Sequence, residues 1–117
     1  AIISGGETIF IEQLQDQIMI IIRNNQLPIH NLLLTSTKNE EWGERLVAII
    51  SLNETSTQLE ARGILFELNK LMKANQLILR PKAWYFCNQL SMNEAGKWDL
   101  SIWRKWLKNQ KPIIEIN

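Results

Sequence analysis

The sequence has a single cysteine, Cys87, and a single histidine, His30, among its 117 residues. One cysteine cannot form an intrachain disulfide, and this favours a reducing compartment, so we expect a cytoplasmic location. Zinc sites need several Cys and His ligands, and phosphate loops need glycines followed by Lys and Ser or Thr. Neither pattern is present. We therefore expect no metal site and no self-contained active site. We interpret His30 as a structural or surface residue and Cys87 as a small buried apolar residue.

Neither sign of charge is in excess, because 13 Lys and Arg face 12 Asp and Glu, for a net charge of +1. This balance gives no general attraction to nucleic acid or to an anionic membrane. The apolar run from Ile18 to Ile22 is far shorter than the roughly 20 residues of a membrane span. The length suits one domain. The composition thus predicts a single globular domain without a membrane span.

The apolar residues of the first half predict a helix followed by two strands. An amphipathic helix over 11–23 is indicated by five apolar residues at helical spacing: Ile11, Leu14, Ile18, Ile21 and Ile22. Apolar runs predict buried strands over 31–37 and 45–52. These two strands could pair, with Trp42 and Gly43 at the bend.

The second half predicts two more helices and a third strand. Thr57 and Glu60 have the spacing of a capping box at the start of the second helix. A strand is expected over 83–88, and a last helix is expected to begin at Asp99 or Ser101. Residues 111–116 could add a short edge strand. The whole is a small α+β domain, with about three strands and flanking helices.

Three segments carry residues suited to ligands, each with a simpler alternative. Gly5 and Gly6 allow a backbone to approach a ligand closely, but they also suit a tight turn. Arg80 and Lys82 flank a proline and suit phosphate, although solvated loops carry such pairs too. Lys97 can project from a polar loop, as most surface lysines do.

Four segments, in this order along the chain, resemble motifs of the C-terminal domain of the acyl-adenylate-forming (AMP-binding) superfamily. This family includes acyl- and aryl-CoA synthetases, luciferases and peptide-synthetase adenylation domains. Residues 2–9 (IISGGETI) resemble I-x-S/G-G-G-E-N-I, and residues 39–48 (NEEWGERLVA) resemble D-x-x-W-G-E-x-V-x-A. Residues 80–82 (RPK) are similar to R/K-x-P-K, and residues 90–97 (LSMNEAGK) to L-P-x-N-x-x-G-K. The resemblance spans essentially the whole chain.

The chain also departs from the family pattern. Residues 9–15 lack the proline and glutamates of I-Y-P-x-E-V-E, Ser91 replaces a proline, and residues 98–100 lack the basic residue of I/V-x-R. These departures indicate a divergent branch. Within the family, the chain resembles compact aryl-acid ligases such as the o-succinylbenzoate:CoA ligases of menaquinone and phylloquinone biosynthesis.

The resemblance implies that residues 1–117 are one C-terminal domain of a larger two-domain ligase. The opening Ala-Ile-Ile-Ser, without an initiator Met, agrees with this expectation. The N-terminal adenylation domain would be the partner. The whole enzyme would convert a small carboxylic acid and ATP to acyl-AMP, and then to acyl-CoA. The implied cofactors are ATP, coenzyme A and Mg²⁺, with the metal held mainly by the N-terminal domain. The isolated domain is expected to be inactive.

The resemblance also implies residue roles. Lys97, on a flexible polar loop, would be the catalytic lysine of acyl-AMP formation. The coenzyme-binding residues would line the pantetheine path or hold the coenzyme A nucleotide, and they are Gly5, Gly6, Glu7, Trp42, Arg80 and Lys82. Ile78 stands where some relatives have an aromatic residue.

Alternative functions remain open. The acceptor could be the thiol of a carrier protein instead of free coenzyme A. The last helix interleaves aromatic and basic residues, as in modules that bind RNA or a partner protein. The helical spacing instead favours a core-facing stripe of Ile102, Trp103, Trp106 and Leu107. A structural α+β domain without a ligand is the third alternative.

Overall fold

The computed structural model describes residues 7–39, 43–54, 56–77 and 79–116. The predicted site residues Gly5, Gly6 and Trp42 lie outside the described residues, as does the side chain of Glu7. The elements in chain order are α1 (Glu7–Asn24), β1 (Ile29–Asn39), β2 (Gly43–Leu52), α2 (Gln58–Ala74), β3 (Ala83–Phe86), α3 (Leu100–Leu107) and β4 (Ile114–Glu115). The α+β class with a small sheet and flanking helices is therefore confirmed.

The four strands form one sheet in the order β1-β2-β3-β4. The first two strands pair antiparallel, as predicted, from Asn39 opposite Gly43 to Ile29 opposite Leu52. β3 is parallel to β2, and a parallel pair needs a crossover connection, which α2 provides. The tail forms the short edge strand β4, antiparallel to β3. This strand makes the sheet one strand larger than the three expected from the longer apolar runs.

Helices cover both faces of the sheet, and alternation along the strands explains why. Successive side chains of a strand point to opposite faces, so Leu32 and Leu34 face one way and Leu33 the other. The first core cluster lies between the sheet and the long helices, and its buried residues include Leu14, Ile18, Ile22, Leu34, Leu65, Leu68, Met72 and Trp84. The second lies under α3 and includes Leu33, Val47, Ile49, Ala83, Tyr85, Leu90 and Leu107.

The direction of α1 follows from its contacts with β1. The Leu34 N–H donates to Oε1 of Gln15 over 2.9 Å, so a glutamine side chain satisfies a donor on the edge strand. Further along α1, the carbonyl of Ile22 accepts from the N–H of Leu27, just before β1 begins. Later residues of α1 therefore lie beside earlier residues of β1, so the two elements run antiparallel. The first residue of α1, Glu7, therefore lies towards the end of β1 that carries Asn39.

The predicted helix starts are confirmed at both later helices. The Thr57 N–H donates to Oε1 of Glu60 over 3.3 Å at the start of α2. Asp99 caps α3, because its Oδ1 accepts from the Ile102 N–H over 3.3 Å. Several boundaries differ from the predictions: α1 begins four residues earlier, β1 extends two residues further at each end, β2 begins two residues earlier, and β3 ends at Phe86 instead of Asn88.

The prediction that Ile102 faces the core is wrong. Ile102 is 58% exposed, whereas Leu107 is buried and Trp103 and Trp106 are half-buried against the second core cluster. Trp103, Trp106 and Leu107 share one helix face at i, i+3 and i+4. Ile102 lies about 100° around the helix from Trp103, outside that face. No helix in the described part of the chain is long and apolar enough to cross a membrane.

Candidate functional site

Lys97 lies at the end of a hydrogen-bonded turn. Oδ1 of Asn93 accepts from the backbone N–H groups of Ala95 and Lys97, each over 3.0 Å. The Asn93 N–H donates to the Lys97 carbonyl over 2.8 Å, and the Gly96 N–H donates to the Asn93 carbonyl over 2.9 Å. Gly96 has a φ of +75°, which a glycine adopts without the steric cost of a Cβ. The turn holds the backbone of Lys97 while its side chain is exposed.

Both ends of this turn segment are attached to the protein core. Leu90 is buried, and its carbonyl accepts from Nδ2 of Asn31, in β1, over 2.8 Å. Trp98, next to Lys97, is half-buried against the second core cluster. The ammonium of Lys97 is therefore presented by a fixed backbone on the outside of the domain. The loop is more ordered than the polar sequence of residues 91–96 suggests.

Arg80 and Lys82 lie at the other end of the sheet. The Lys82 N–H donates to the Leu46 carbonyl over 2.8 Å, and its own carbonyl accepts from the Ile116 N–H over 2.7 Å. Lys82 is exposed and Arg80 is half-buried. Because β2 and β3 are parallel, this end of the sheet is also the end where β2 starts, at Gly43. The helix residue Glu7 lies towards the same end.

The predicted site residues therefore divide into two groups. Lys82 is attached at Leu46, whereas Asn31, which binds the Lys97 segment, is opposite Ser51. Five residues of β2 separate these attachments, or about 17 Å at the usual strand rise. The structure does not bring Lys97 together with Arg80 and Lys82. It presents them at opposite ends of one domain.

The tryptophans of the last helix, and the one just before it, pack against the core. Trp98, Trp103 and Trp106 pack against the second core cluster, and Trp103 and Trp106 meet edge to face with ring centroids 5.9 Å apart. Stacking on bases needs accessible ring faces. The spacing of these tryptophans is therefore explained by packing. His30 is exposed, and Cys87 packs partly buried at the edge of the second cluster.

Two residues of this site had no role in the sequence interpretation. Asn93 stands inside the predicted loop motif, and its position four residues before Lys97 suits a side chain that turns back onto the backbone. Asn31 lies 59 residues from Leu90 in sequence, and no local pattern could have found that contact. The described residues contain no group of three or more His, Cys, Asp and Glu that could hold a metal.

The comparisons with known proteins bear on the fold. No protein-family model matches the chain, and no curated protein matches it in sequence. A crystal structure of an acyl-CoA synthetase (AMP-forming)/AMP-acid ligase II-like protein from Dyadobacter fermentans matches it with a TM-score of 0.59 and 14% identity. The match covers 83% of this chain and only 26% of that one. The chain therefore has a fold found within an AMP-forming ligase-like protein, and it spans about a quarter of that protein.

Proposed function

We propose that this chain is the mobile C-terminal domain of an ATP-dependent, AMP-forming carboxylic acid:CoA ligase, with Lys97 as its catalytic residue. The observation that carries the proposal is the exposed ammonium of Lys97 on a turn ordered by Asn93. It occurs on a fold shared with part of an AMP-forming acyl-CoA synthetase-like protein. The partner would be an N-terminal adenylation domain.

In the first half-reaction, a carboxylate attacks the α-phosphate of ATP, and acyl-AMP and pyrophosphate are formed. Both reactants are anionic, so they repel each other, and negative charge develops in the transition state. The ammonium of Lys97 would offset that charge once the domain covers the reaction centre. A preorganised donor of this kind contributes about 3–4 kcal/mol of transition-state stabilisation. The ordered backbone of residues 93–97 supports this role, because it reduces the freedom that the side chain must lose.

In the second half-reaction, a thiol attacks the acyl-AMP and AMP leaves. Arg80 and Lys82 would bind the phosphates of coenzyme A, because a guanidinium forms paired hydrogen bonds with phosphate and an ammonium supplies a point charge. Gly5, Gly6, Glu7 and Trp42 complete this proposed coenzyme surface through the resemblance. Two cations favour free coenzyme A over a carrier-protein thiol. Mg²⁺ is assigned mainly to the N-terminal domain, as the resemblance implies.

The separation of the two groups along the sheet supports an alternating mechanism. Lys97 and the Arg80–Lys82 pair are attached about 17 Å apart along β2. Two orientations of the domain would serve groups attached this far apart better than one orientation would. A rigid-body rotation would present Lys97 first and the cationic pair second. The acid is proposed to be aromatic, with o-succinylbenzoate as the first candidate, on the resemblance alone.

The test uses the full-length enzyme with Lys97→Ala. Acid-dependent exchange of pyrophosphate into ATP should fall by about 10²–10³-fold, the loss typical for one aimed donor. Thiolysis of supplied acyl-AMP by coenzyme A should be unchanged. The control is Lys70→Ala, which removes a lysine that is 63% exposed on α2. Equal loss of both half-reactions would refute the role of Lys97, and no exchange with any acid in the unmutated enzyme would refute the function.

A further inference from the structure

Asn31 follows an irregularity near the start of β1. Ile29 is opposite Leu52, and Asn31 is opposite Ser51, the preceding residue of β2. Between these two pairs β1 advances by two residues and β2 by only one, so His30 is an extra residue in β1, as in a β-bulge. The bulge changes the face of the sheet to which the next side chains point.

The bulge turns Asn31 to the face of the sheet that carries the second core cluster. Side chains of a regular strand alternate between the faces, so Ile29 and Asn31 would share one face without the extra residue. Ile29 and Leu32, three positions apart, both belong to the first core cluster, whereas Leu33 and Leu90 belong to the second. Asn31, two positions before Leu33, therefore faces the side on which Leu90 is buried.

The hydrogen bond from Asn31 fixes Leu90 in a way that apolar contacts do not. β3 ends at Phe86, so the Leu90 carbonyl lies beyond the strand pairing, and Nδ2 of Asn31 donates to it over 2.8 Å. Apolar contacts are non-directional, whereas a hydrogen bond constrains both a distance and an angle. The buried hydroxyl of Ser51, opposite Asn31, has no hydrogen-bond partner among the described residues, so it takes no part in this attachment.

The position of Leu90 affects that of Lys97, which follows it by seven residues. The hydrogen bonds of Asn93 give residues 93–97 a fixed internal shape, so the turn moves with the backbone to which it is attached. A misplacement of about 1 Å in a catalytic group can cost about 10²-fold in rate. Trp98 anchors the other end of the segment, so loss of the Leu90 attachment should displace the ammonium only in part.

We propose that Asn31 is a positioning residue for Lys97, and that the bulge at His30 aims it at the Lys97 segment. This inference rests on the proposed function, because it gives Asn31 a part in acyl-AMP formation through Lys97. Asn31 acts on the backbone of its own domain, so it should affect the rate of the first half-reaction and not the binding of ATP or the acid. The second half-reaction, in which Lys97 takes no part, should not depend on Asn31.

The test measures both half-reactions in the full-length enzyme with Asn31→Ala. The kcat of acid-dependent pyrophosphate exchange should fall about tenfold, less than the loss for a full 1 Å misplacement because Trp98 still anchors the segment. The KM values for ATP and for the acid should be unchanged, as should thiolysis of supplied acyl-AMP. Asn31→Asp should lose as much as Asn31→Ala, because an ionised carboxylate has no N–H to donate.

Two control variants separate positioning from stability. Asn25→Ala removes a hydrogen bond of the same kind, from Nδ2 to the Ile21 carbonyl over 2.9 Å, at the end of α1. It should lower Tm by about as much as Asn31→Ala does, because the two bonds are alike. Ser51→Ala removes the unpartnered hydroxyl opposite Asn31. Both controls should leave the kcat of pyrophosphate exchange unchanged.

Hydrogen–deuterium exchange of the same enzymes tests the attachment itself. The backbone amides of residues 91–98 should exchange faster in Asn31→Ala than in the unmutated enzyme or in Asn25→Ala, because the segment opens more often. Unchanged amide exchange in Asn31→Ala, or an equal loss of pyrophosphate exchange in Asn31→Ala and Asn25→Ala, would overturn the positioning role alone. Absence of pyrophosphate exchange in the unmutated enzyme would refute the proposed function, and the positioning role with it.

Discussion

Alanine at Gly96 and alanine at Gly63 are expected to change the stability of this protein in opposite directions. An added Cβ meets no atom of the described residues within 4 Å at either position, so available space does not distinguish them. The backbone conformation distinguishes the two positions. Gly96 has a φ of +75°, where a Cβ costs about 1–2 kcal/mol. Gly63 lies inside α2, where alanine is favoured over glycine by about 1 kcal/mol.

The two effects should therefore separate the variants by about 2–3 kcal/mol in the free energy of unfolding. For a domain of this size, this corresponds to a difference of about 10 °C in Tm. Gly96→Asn should lower the free energy of unfolding less than Gly96→Ala does, because asparagine tolerates the left-handed region better than alanine. The proposed ligase function further predicts that Gly96→Ala lowers pyrophosphate exchange, because the substitution shifts the backbone that carries Lys97. Gly63→Ala should leave the exchange unchanged.

The assay is urea unfolding followed by circular dichroism, with the midpoint and the slope compared among the three variants. A common slope would show that the substitutions act on stability and leave the unfolded surface unchanged. If Gly96→Ala were as stable as the unmutated chain, residue 96 would not occupy the left-handed region. The turn that orients Lys97 would then be incorrectly described, and the proposed catalytic role would lose its structural support.

The remaining predictions concern the attachment of the Lys97 segment and the orientation of α3. Asn31→Ala removes the 2.8 Å hydrogen bond to the Leu90 carbonyl and should cost about 1 kcal/mol in urea unfolding. An unchanged midpoint would contradict that attachment. Ile102→Gln should change the free energy of unfolding by no more than about 0.5 kcal/mol, because this side chain is 58% exposed. Leu107→Ala should lower the free energy of unfolding by about 2–5 kcal/mol. Similar losses for the Ile102 and Leu107 variants would contradict the orientation of α3.

Local pattern was sufficient to predict most of the elements. Helical spacing of apolar residues indicated α1 and α2, and apolar runs indicated β1 and β2. The capping residues Thr57 and Asp99 marked two helix starts correctly, because a cap acts on backbone groups only two or three residues away. The resemblance to AMP-forming ligases anticipated a fold that the match to a solved structure supports. The roles assigned to Lys97 and to the coenzyme-binding residues stay predictions.

The amino-acid sequence by itself determined which segments are helix and strand, and which face of each segment is apolar, since these depend on neighbours within a few positions. Only the tertiary structure decided which residues meet across the domain. It attached the Lys97 segment and Lys82 about 17 Å apart along the direction of β2, and it turned Ile102 towards solvent. Such relations depend on strand register and helix direction, which the packing of distant segments determines.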